Sequence, residues 1–152
     1  MANQFIPYGR QHITQTDIDA VVAVLQSDFL TQGSQVPAFE ERVASYTGAK
    51  FGVAANSATS ALHIACLALG LGQGEKGKDD WLWTTPITFT ASANCGLYCG
   101  ANIDFVDIDP LTLNMSINAL AEKLQLADAE NRLPKIVIPV HFTGEPCDMA
   151  AI

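Results

Sequence analysis

The sequence is poor in basic residues and contains no long apolar run. Only 8 lysines and arginines stand against 16 aspartates and glutamates among 152 residues, a formal net charge of −8. Binding to nucleic acid or to an anionic membrane surface needs clustered positive charge, so we expect neither partner. A membrane-spanning helix needs roughly 20 apolar residues, and the first residues, MANQFIPYGRQ, lack the pattern of a signal peptide. We therefore expect a cytoplasmic protein.

Metal-binding patterns are also missing. The four cysteines, Cys66, Cys95, Cys99 and Cys147, show no CxxC spacing, which is typical of reduced thiols in a reducing compartment. Cys95 and Cys99 would share a helix face, but a metal needs further ligands nearby. The aspartates of IDFVDID alternate between opposite faces of a strand. We therefore predict no metal site.

What the sequence does have is a hydrophobic content of 49%, enough for a folded core. Residues 1–48 predict an N-terminal helical segment. Its first helix starts at Thr16, with Asp19 completing a capping box, and runs to about Ser27; its second follows Pro37 and ends at Gly48. The apolar side chains predicted to face inward are Ile18, Val21, Val22 and Leu25 in the first helix and Phe39, Val43 and Tyr46 in the second.

From residue 49 to 152 the pattern changes to short apolar runs that alternate with helical segments. The runs FGVAA, WLWT, IDFV and KIVIPV predict strands, and ATSALHIACLALG, TFTASANCGLYCG and INALAEKLQLA predict helices. This βα alternation predicts an α/β domain with a parallel sheet and helices on both faces. Ligands bind beyond the carboxyl ends of such strands. The glycine-rich stretch GLGQGEKGKDD would lie at the opposite edge as a solvated turn.

The stretch NSATSALH at 56–63 places small side chains where the first predicted strand meets a helix. Ser57, Ala58, Thr59 and Ser60 leave the first helical amides bare and add hydroxyl donors, which is the arrangement that binds phosphate. An ordinary helix N-cap at Asn56 or Ser57 explains the same residues. The sequence leaves both interpretations open.

Several motifs together resemble the DegT/DnrJ/EryC1/StrS aminotransferases: LTQG at 30–33, FEERVASYTGAKFGV at 39–53, NSATSALH, TTPITFTASAN at 84–94, GANIDFVDIDPLTLN at 100–114 and PVHFTGEPCDM at 139–149. The resemblance implies the large domain of a fold-type I enzyme that uses pyridoxal 5'-phosphate. It also implies amination of a nucleotide-linked keto sugar, with glutamate as the amino donor, by a homodimer. PYGRQ, SDFLTQG and NSATSAL are most similar to the enzymes of pseudaminic-acid synthesis, which act on a 4-keto-6-deoxy sugar.

The resemblance also assigns residues to the site. It implies that Ser57, Ala58, Thr59 and Ser60 hold the cofactor phosphate. It places Phe89 against the pyridine ring, and His141 near the ring or its 3-hydroxyl group; core packing for Phe89 and a backbone partner for His141 are the alternatives. Residues of the N-terminal segment would approach the sugar, or would simply pack there: Tyr8, Leu30, Thr31 and Gln32.

No residue is predicted as the catalytic base. The family's Schiff-base lysine belongs to a serine–histidine–lysine motif that none of the chain's lysines matches: Lys50, Lys76, Lys78, Lys123 and Lys135. We therefore expect an N-terminal portion of an aminotransferase that is inactive alone. A dehydratase of the same family, with histidine at the lysine position, and a non-catalytic binding or sensor protein are the alternatives.

Overall fold

The computed structural model describes residues 9–74, 77 and 79–152. Within these residues, five α-helices and three strands follow one another as α1 (Gln15–Leu25), α2 (Gln35–Thr47), α3 (Ala58–Ala68), β1 (Trp81–Thr84), α4 (Ala91–Tyr98), β2 (Asn102–Phe105), α5 (Ile117–Ala129) and β3 (Ile136–Ile138). The described residues form two compact units, which meet in sequence between Ala54 and Ala55. In the described ranges no helix has the length and apolarity that crossing a bilayer requires.

In the first unit, the capping box of α1 lies two residues earlier than the sequence predicted. Its capping box uses Thr14 and Asp17: the Thr14 amide donates to the Asp17 carboxylate at 2.7 Å, and the Asp17 amide donates back to the Thr14 hydroxyl. The hydrogen bond from the Thr14 backbone, followed by that from its hydroxyl, lowers the pKa of Asp17. The prediction of Thr16 and Asp19 was wrong because Asp19 instead accepts a bond from the Gln15 side chain.

The second helix, α2, ends where the sequence predicted. Gly48 has a φ of 74°, the left-handed conformation that ends helices and that glycine adopts without strain. The inward orientation predicted for the apolar side chains of both helices is wrong, since these side chains are exposed. The exposed fraction is 63% for Leu25 and 93% for Tyr46. Helical periodicity shows which side chains share a face, but it does not show what covers that face.

Residues 51–55, FGVAA, form no strand, contrary to the prediction. The Ala54 amide donates to the Glu40 carboxylate at 2.8 Å, so it is not paired with another strand. Phe51 and Val53 are exposed. An apolar run becomes a strand only when a neighbouring strand pairs with its backbone, and this segment lacks such a neighbour within the described residues.

The second unit contains a parallel sheet in the order β2-β1-β3. Trp81 pairs with Asn102 on one side of β1, and Leu82 pairs with Ile136 on the other. Successive side chains of β1 point to opposite faces. Leu82 packs with Cys66 of α3 and Cys95 of α4 on one face, and Trp83 packs with Leu120 of α5 on the other. The predicted parallel sheet with helices on both faces is confirmed.

Helix α4 lies unusually close to the sheet at Gly96. A Cβ atom at this position would lie 2.5 Å from the Ile103 side chain and 3.2 Å from that of Leu82. A larger residue would require the end of the Ile103 side chain and the Leu82 side chain to shift. Gly96 therefore lets α4 pack closely against the side chains of β1 and β2.

Candidate functional site at the carboxyl edge of the sheet

The loops after the three strands leave the sheet at one edge, because the strands are parallel. The loop after β1 carries Phe89, and the loop after β3 carries His141. Since β1 and β3 are hydrogen-bonded neighbours, these two residues follow adjacent strands. The start of α3 belongs to the same unit, and α3 packs against α4, the helix that follows Phe89.

The N-terminus of α3 is built by Ser57, which is extended at φ −162° and accepts a hydrogen bond from the Ser60 amide at 3.1 Å. Its hydroxyl also donates to the Ser60 hydroxyl at 3.1 Å. Ser57 is therefore the N-cap, and the Ser60 amide is already bonded. The amides of Ala58 and Thr59 have no acceptor within the described residues.

These two amides and the Thr59 hydroxyl suit a phosphate group. The first turn of α3 contains no acidic residue, and the partial positive charge of an 11-residue helix is greatest there. Thr59 is half-buried, whereas Ala58 is exposed, so the site is open to a ligand from solvent. The start of α3 thus fits the phosphate of the implied cofactor.

The loop after β1 is ordered by its threonines. The Thr85 hydroxyl donates to the Ile87 carbonyl oxygen at 3.2 Å, and the Thr88 hydroxyl donates to the Ser92 hydroxyl at 2.8 Å. Phe89 lies in this loop just before α4, and it is 67% exposed. The aromatic ring is therefore free to stack against a planar ligand.

The loop after β3 holds His141 through the backbone of Cys147. The Cys147 amide donates to Nδ1 of His141 at 3.1 Å, and the Cys147 thiol donates to the Val140 carbonyl oxygen at 3.2 Å. Because a backbone N–H can only donate, Nδ1 is unprotonated and the imidazole proton lies on Nε2. His141 is exposed, so it presents an N–H donor.

Sequence reasoning missed Asn114 as a member of this edge. Its side chain is 5% exposed, accepts a bond from the Phe142 amide and donates one to the Glu145 carbonyl oxygen. These partners are 28 and 31 residues away in sequence. In the sequence, Asn114 is only an asparagine shortly before a predicted helix. An asparagine in that place is just as typical of a helix cap as of a residue that holds a distant loop.

The aspartates after and within β2 are engaged in local contacts. Asp104 forms an ion pair with Lys123 at 2.7 Å, and its carboxylate lies 3.8 Å from the Arg132 guanidinium. Burial raises the pKa of Asp104, but the hydrogen bonds and charges of its partners outweigh burial, so its pKa lies below the usual value. Asp109 accepts the amides of Leu111 and Thr112. Within residues 9–74, 77 and 79–152 no group of three His, Cys, Asp or Glu side chains could hold a metal.

The predicted substrate residues lie in the first unit, where a pocket of about 440 Å³ separates α1 from α2. Leu30 and Gln32 line this pocket, together with apolar side chains such as Val24 and Phe29. Gln32 has a positive φ of 52°. Thr31 does not line the pocket, and Tyr8 lies outside the described residues.

The lysines that the structure describes each have a contact close by. Lys123 is paired with Asp104 and the Phe105 carbonyl oxygen, and Lys135 with Asp80 and the Gly70 carbonyl oxygen. Lys50 lies 5.2 Å from the centroid of the Phe51 ring. Lys76 and Lys78 lie outside the described residues.

Residues 11–152 match the family model described as the DegT/DnrJ/EryC1/StrS aminotransferase family. The chain belongs to this family. Its members in solved structures include the Helicobacter pylori PseC, an aminotransferase involved in the biosynthesis of pseudoaminic acid. PseC superposes with a TM-score of 0.82 at 29% identity, over 96% of this chain and 37% of its own.

Two further family members are informative about cofactor and substrate. The putative sugar aminotransferase Spr1654 from Streptococcus pneumoniae, in its PLP-form, superposes with a TM-score of 0.80 at 31% identity, covering 96% of this chain and 34% of its own. The UDP-4-amino-4,6-dideoxy-N-acetyl-beta-L-altrosamine transaminase of Campylobacter jejuni subsp. jejuni serotype O:23/36 (strain 81-176) is 46% identical over 103 residues, 68% of this chain and 26% of its own length.

These likenesses confirm the family and the fold-type I α/β class predicted from the motifs. The chain spans only 36% of the length of the curated relatives that it matches from end to end. The part of these relatives that the chain matches corresponds to residues that include the start of α3, the Phe89 loop and the His141 loop.

Proposed function

We propose that this protein is a pyridoxal-phosphate-dependent aminotransferase that acts on a nucleotide-linked 4-keto-6-deoxy sugar, as in pseudaminic-acid synthesis. The observation that carries the cofactor assignment is the start of α3, where two amides without an acceptor in the described structure lie beside the Thr59 hydroxyl. The substrate assignment is supported by the 46% identity over 103 residues to the Campylobacter jejuni UDP-4-amino-4,6-dideoxy-N-acetyl-beta-L-altrosamine transaminase.

Each residue of the candidate site has a role in this proposal. Ala58 and Thr59 bind the phosphate, with Ser57 fixing the helix start, and Ser60 adds a hydroxyl. Phe89 covers one face of the pyridine ring, and Nε2–H of His141 donates to the oxygen of the 3-hydroxyl group on that ring. When bound, pyridoxal phosphate supplies the carbonyl and the electron sink through which an amino group is transferred.

Substrate and assembly complete the proposal. The pocket lined by Leu30 and Gln32 receives part of the nucleotide sugar, and Thr31 lies beside it in the sequence. Glutamate gives the amino group. The protein works as a homodimer in the cytoplasm. Exposed apolar side chains such as Tyr46 and Val53 support association. Light scattering at micromolar concentration should therefore show a species larger than the monomer. Addition of uridine diphosphate should shift the amide resonances of Leu30 and Gln32 if the nucleotide binds in this pocket.

The cofactor assignment is tested by the Thr59→Val variant. It keeps the shape of the side chain but removes one hydrogen bond to a charged group, about 1.5–3 kcal/mol, or roughly ten- to a hundredfold in affinity. Thr59→Val should weaken pyridoxal phosphate and leave pyridoxal unchanged. Thr16→Val is the matched control, since Thr16 is the second residue of α1 as Thr59 is of α3.

Amide shifts identify the place of binding. Pyridoxal phosphate should move the amide resonances of Ala58 and Thr59 most strongly, because these are the donors to the phosphate. Equal weakening of both ligands by Thr59→Val, or shifts elsewhere with none at Ala58 and Thr59, would reduce this helix start to an ordinary cap and would contradict the proposed phosphate site.

A further inference from the structure

Asn114 connects two loops of the carboxyl edge through a buried side chain. Its Oδ1 accepts the Phe142 amide at 2.9 Å, and its Nδ2 donates to the Glu145 carbonyl oxygen at 3.0 Å. The side chain is 5% exposed and follows β2, whereas its partners follow β3. Asn114 therefore bonds to the first residue of the turn Phe142–Gly144 and to Glu145, the residue that follows it.

The backbone of the turn that these two bonds hold is strained. Thr143 has a positive φ of 55°, which is unfavourable for a β-branched residue, and Gly144 follows at 86°. Its own support consists of single-turn bonds, such as the Gly144 amide to the His141 carbonyl oxygen at 3.1 Å. A strained turn of this kind persists only when its surroundings hold it.

His141 and Cys147 flank the segment that Asn114 holds. The Cys147 amide reaches Nδ1 of His141 at 3.1 Å only while residues 142–146 keep their path. This bond determines that the imidazole proton lies on Nε2. The direction of the Nε2–H donor therefore depends on a side chain that does not touch the imidazole.

We propose that Asn114 is a positioning residue that sets the tautomer and direction of His141 by holding the 142–145 turn. The inference deepens the proposed function and rests on it, because the oxygen that Nε2–H meets is there assigned to the cofactor ring. Asn114 itself touches no ligand in this proposal. It acts through the backbone of Phe142 and Glu145.

The test uses long-range proton–nitrogen NMR spectra of the histidine side chains and hydrogen exchange of single amides. In the wild type, His141 should show an unprotonated Nδ1 and a protonated Nε2. Asn114→Ala should give a mixed tautomer pattern for His141 and leave His12 and His63 unchanged. The Cys147 amide, which does not contact Asn114, should exchange about tenfold faster, the factor for one hydrogen bond of about 1.4 kcal/mol.

Two further variants keep the test decisive. Asn114→Asp retains an acceptor for the Phe142 amide, but a carboxylate oxygen replaces the donor to Glu145 and repels the Glu145 carbonyl oxygen, so its effect should be of the same kind and at least as large. Asn118→Ala is the matched control, because Asn118 is exposed and makes no side-chain hydrogen bond within the described structure. It should change neither readout.

The outcomes separate this inference from the proposed function. Faster exchange at Phe142 with an unchanged His141 tautomer and an unchanged Cys147 amide would make Asn114 a local brace and overturn the inference. Unchanged spectra in both Asn114 variants would overturn it too. Failure of pyridoxal phosphate to shift the amides of Ala58 and Thr59, with the tautomer effect present, would refute the cofactor site and leave the positioning role intact.

Discussion

The hydroxyl group of Thr84 donates a hydrogen bond of 3.0 Å to the carbonyl oxygen of Ile138. These are the last residues of β1 and β3, so the bond joins the two strands where the loops that carry Phe89 and His141 leave the sheet. Thr84 has no exposed surface, and water is therefore not available as an alternative partner for its hydroxyl. The bond adds to the backbone pairing of β1 with β3 at the point where the two loops begin.

Replacing Thr84 with valine should lower the free energy of unfolding by about 0.5–1.5 kcal/mol, since a buried hydrogen bond is lost while the shape is kept. Urea denaturation measures this difference. Thr90→Val is the matched control, because Thr90 is exposed and its side chain makes no capping bond. Equal effects of the two substitutions would show that the Thr84 hydroxyl contributes nothing.

Replacing Phe89 with alanine should weaken binding of pyridoxal phosphate and of pyridoxal to the same extent. Stacking contributes roughly 0.5–1.5 kcal/mol and does not involve the phosphate, so we expect a loss of about two- to twelvefold for each ligand. Phe51→Ala is the control, as Phe51 is similarly exposed. A loss confined to the phosphorylated ligand would contradict stacking on Phe89.

The ion pair between Asp104 and Lys123 should make stability depend on pH in acid. The pKa of Asp104 is lower in the folded chain than in the unfolded one, so the pair stabilises the fold above about pH 4. That contribution is lost as the pH falls through the folded-state pKa.

Asp104→Asn should therefore destabilise the protein near pH 7, by up to about 1 kcal/mol for such a partly exposed pair, and the difference should shrink below pH 4. Thermal melts at several pH values measure it. Asp128→Asn is the control, since Asp128 forms no ion pair in the described part of the chain. A difference that stays constant from pH 7 to pH 2 would refute the role of the ion pair.

No lysine of this chain should be labelled stoichiometrically when the protein is mixed with pyridoxal phosphate and reduced with borohydride. The ammonium groups of Lys123 and Lys135 are held by Asp104 and Asp80, and an amine must lose its proton to react. Peptide mass spectrometry should show only partial labelling of exposed lysines such as Lys50. Full labelling of one lysine would mean that this chain carries the reactive amine.

The parallel sheet and the helices of the second unit could be predicted because short patterns in the sequence show which side chains are buried. The alternation of Leu82 and Trp83 gives two buried faces, and each face needs its own helices. The interpretation of FGVAA failed because its apolar side chains, Phe51 and Val53, say nothing about whether another strand pairs with the backbone. Two overlapping Thr-x-x-Asp patterns likewise left the start of α1 undecided.

The candidate site was predicted only where a motif lies within one loop. Ser57 and Thr59 belong to a single short stretch, so the sequence alone marks them. The role of Asn114 arises from contacts across the sheet edge to the turn after β3, and no local pattern in one sequence reports such contacts. Residues that position others at a distance are the part that needed coordinates.

The pairing of β1 with both β2 and β3 has a consequence for the order of folding. Helices form from neighbouring residues, but β1 meets β3 only after a chain closure of 54 residues between Thr84 and Ile138. Closures of this length are slow compared with helix formation. We therefore expect α3 to form early in the nascent chain, and the pairing of β1 with β3, which brings the loops of Phe89 and His141 to adjacent strands, to follow in a later and slower kinetic phase.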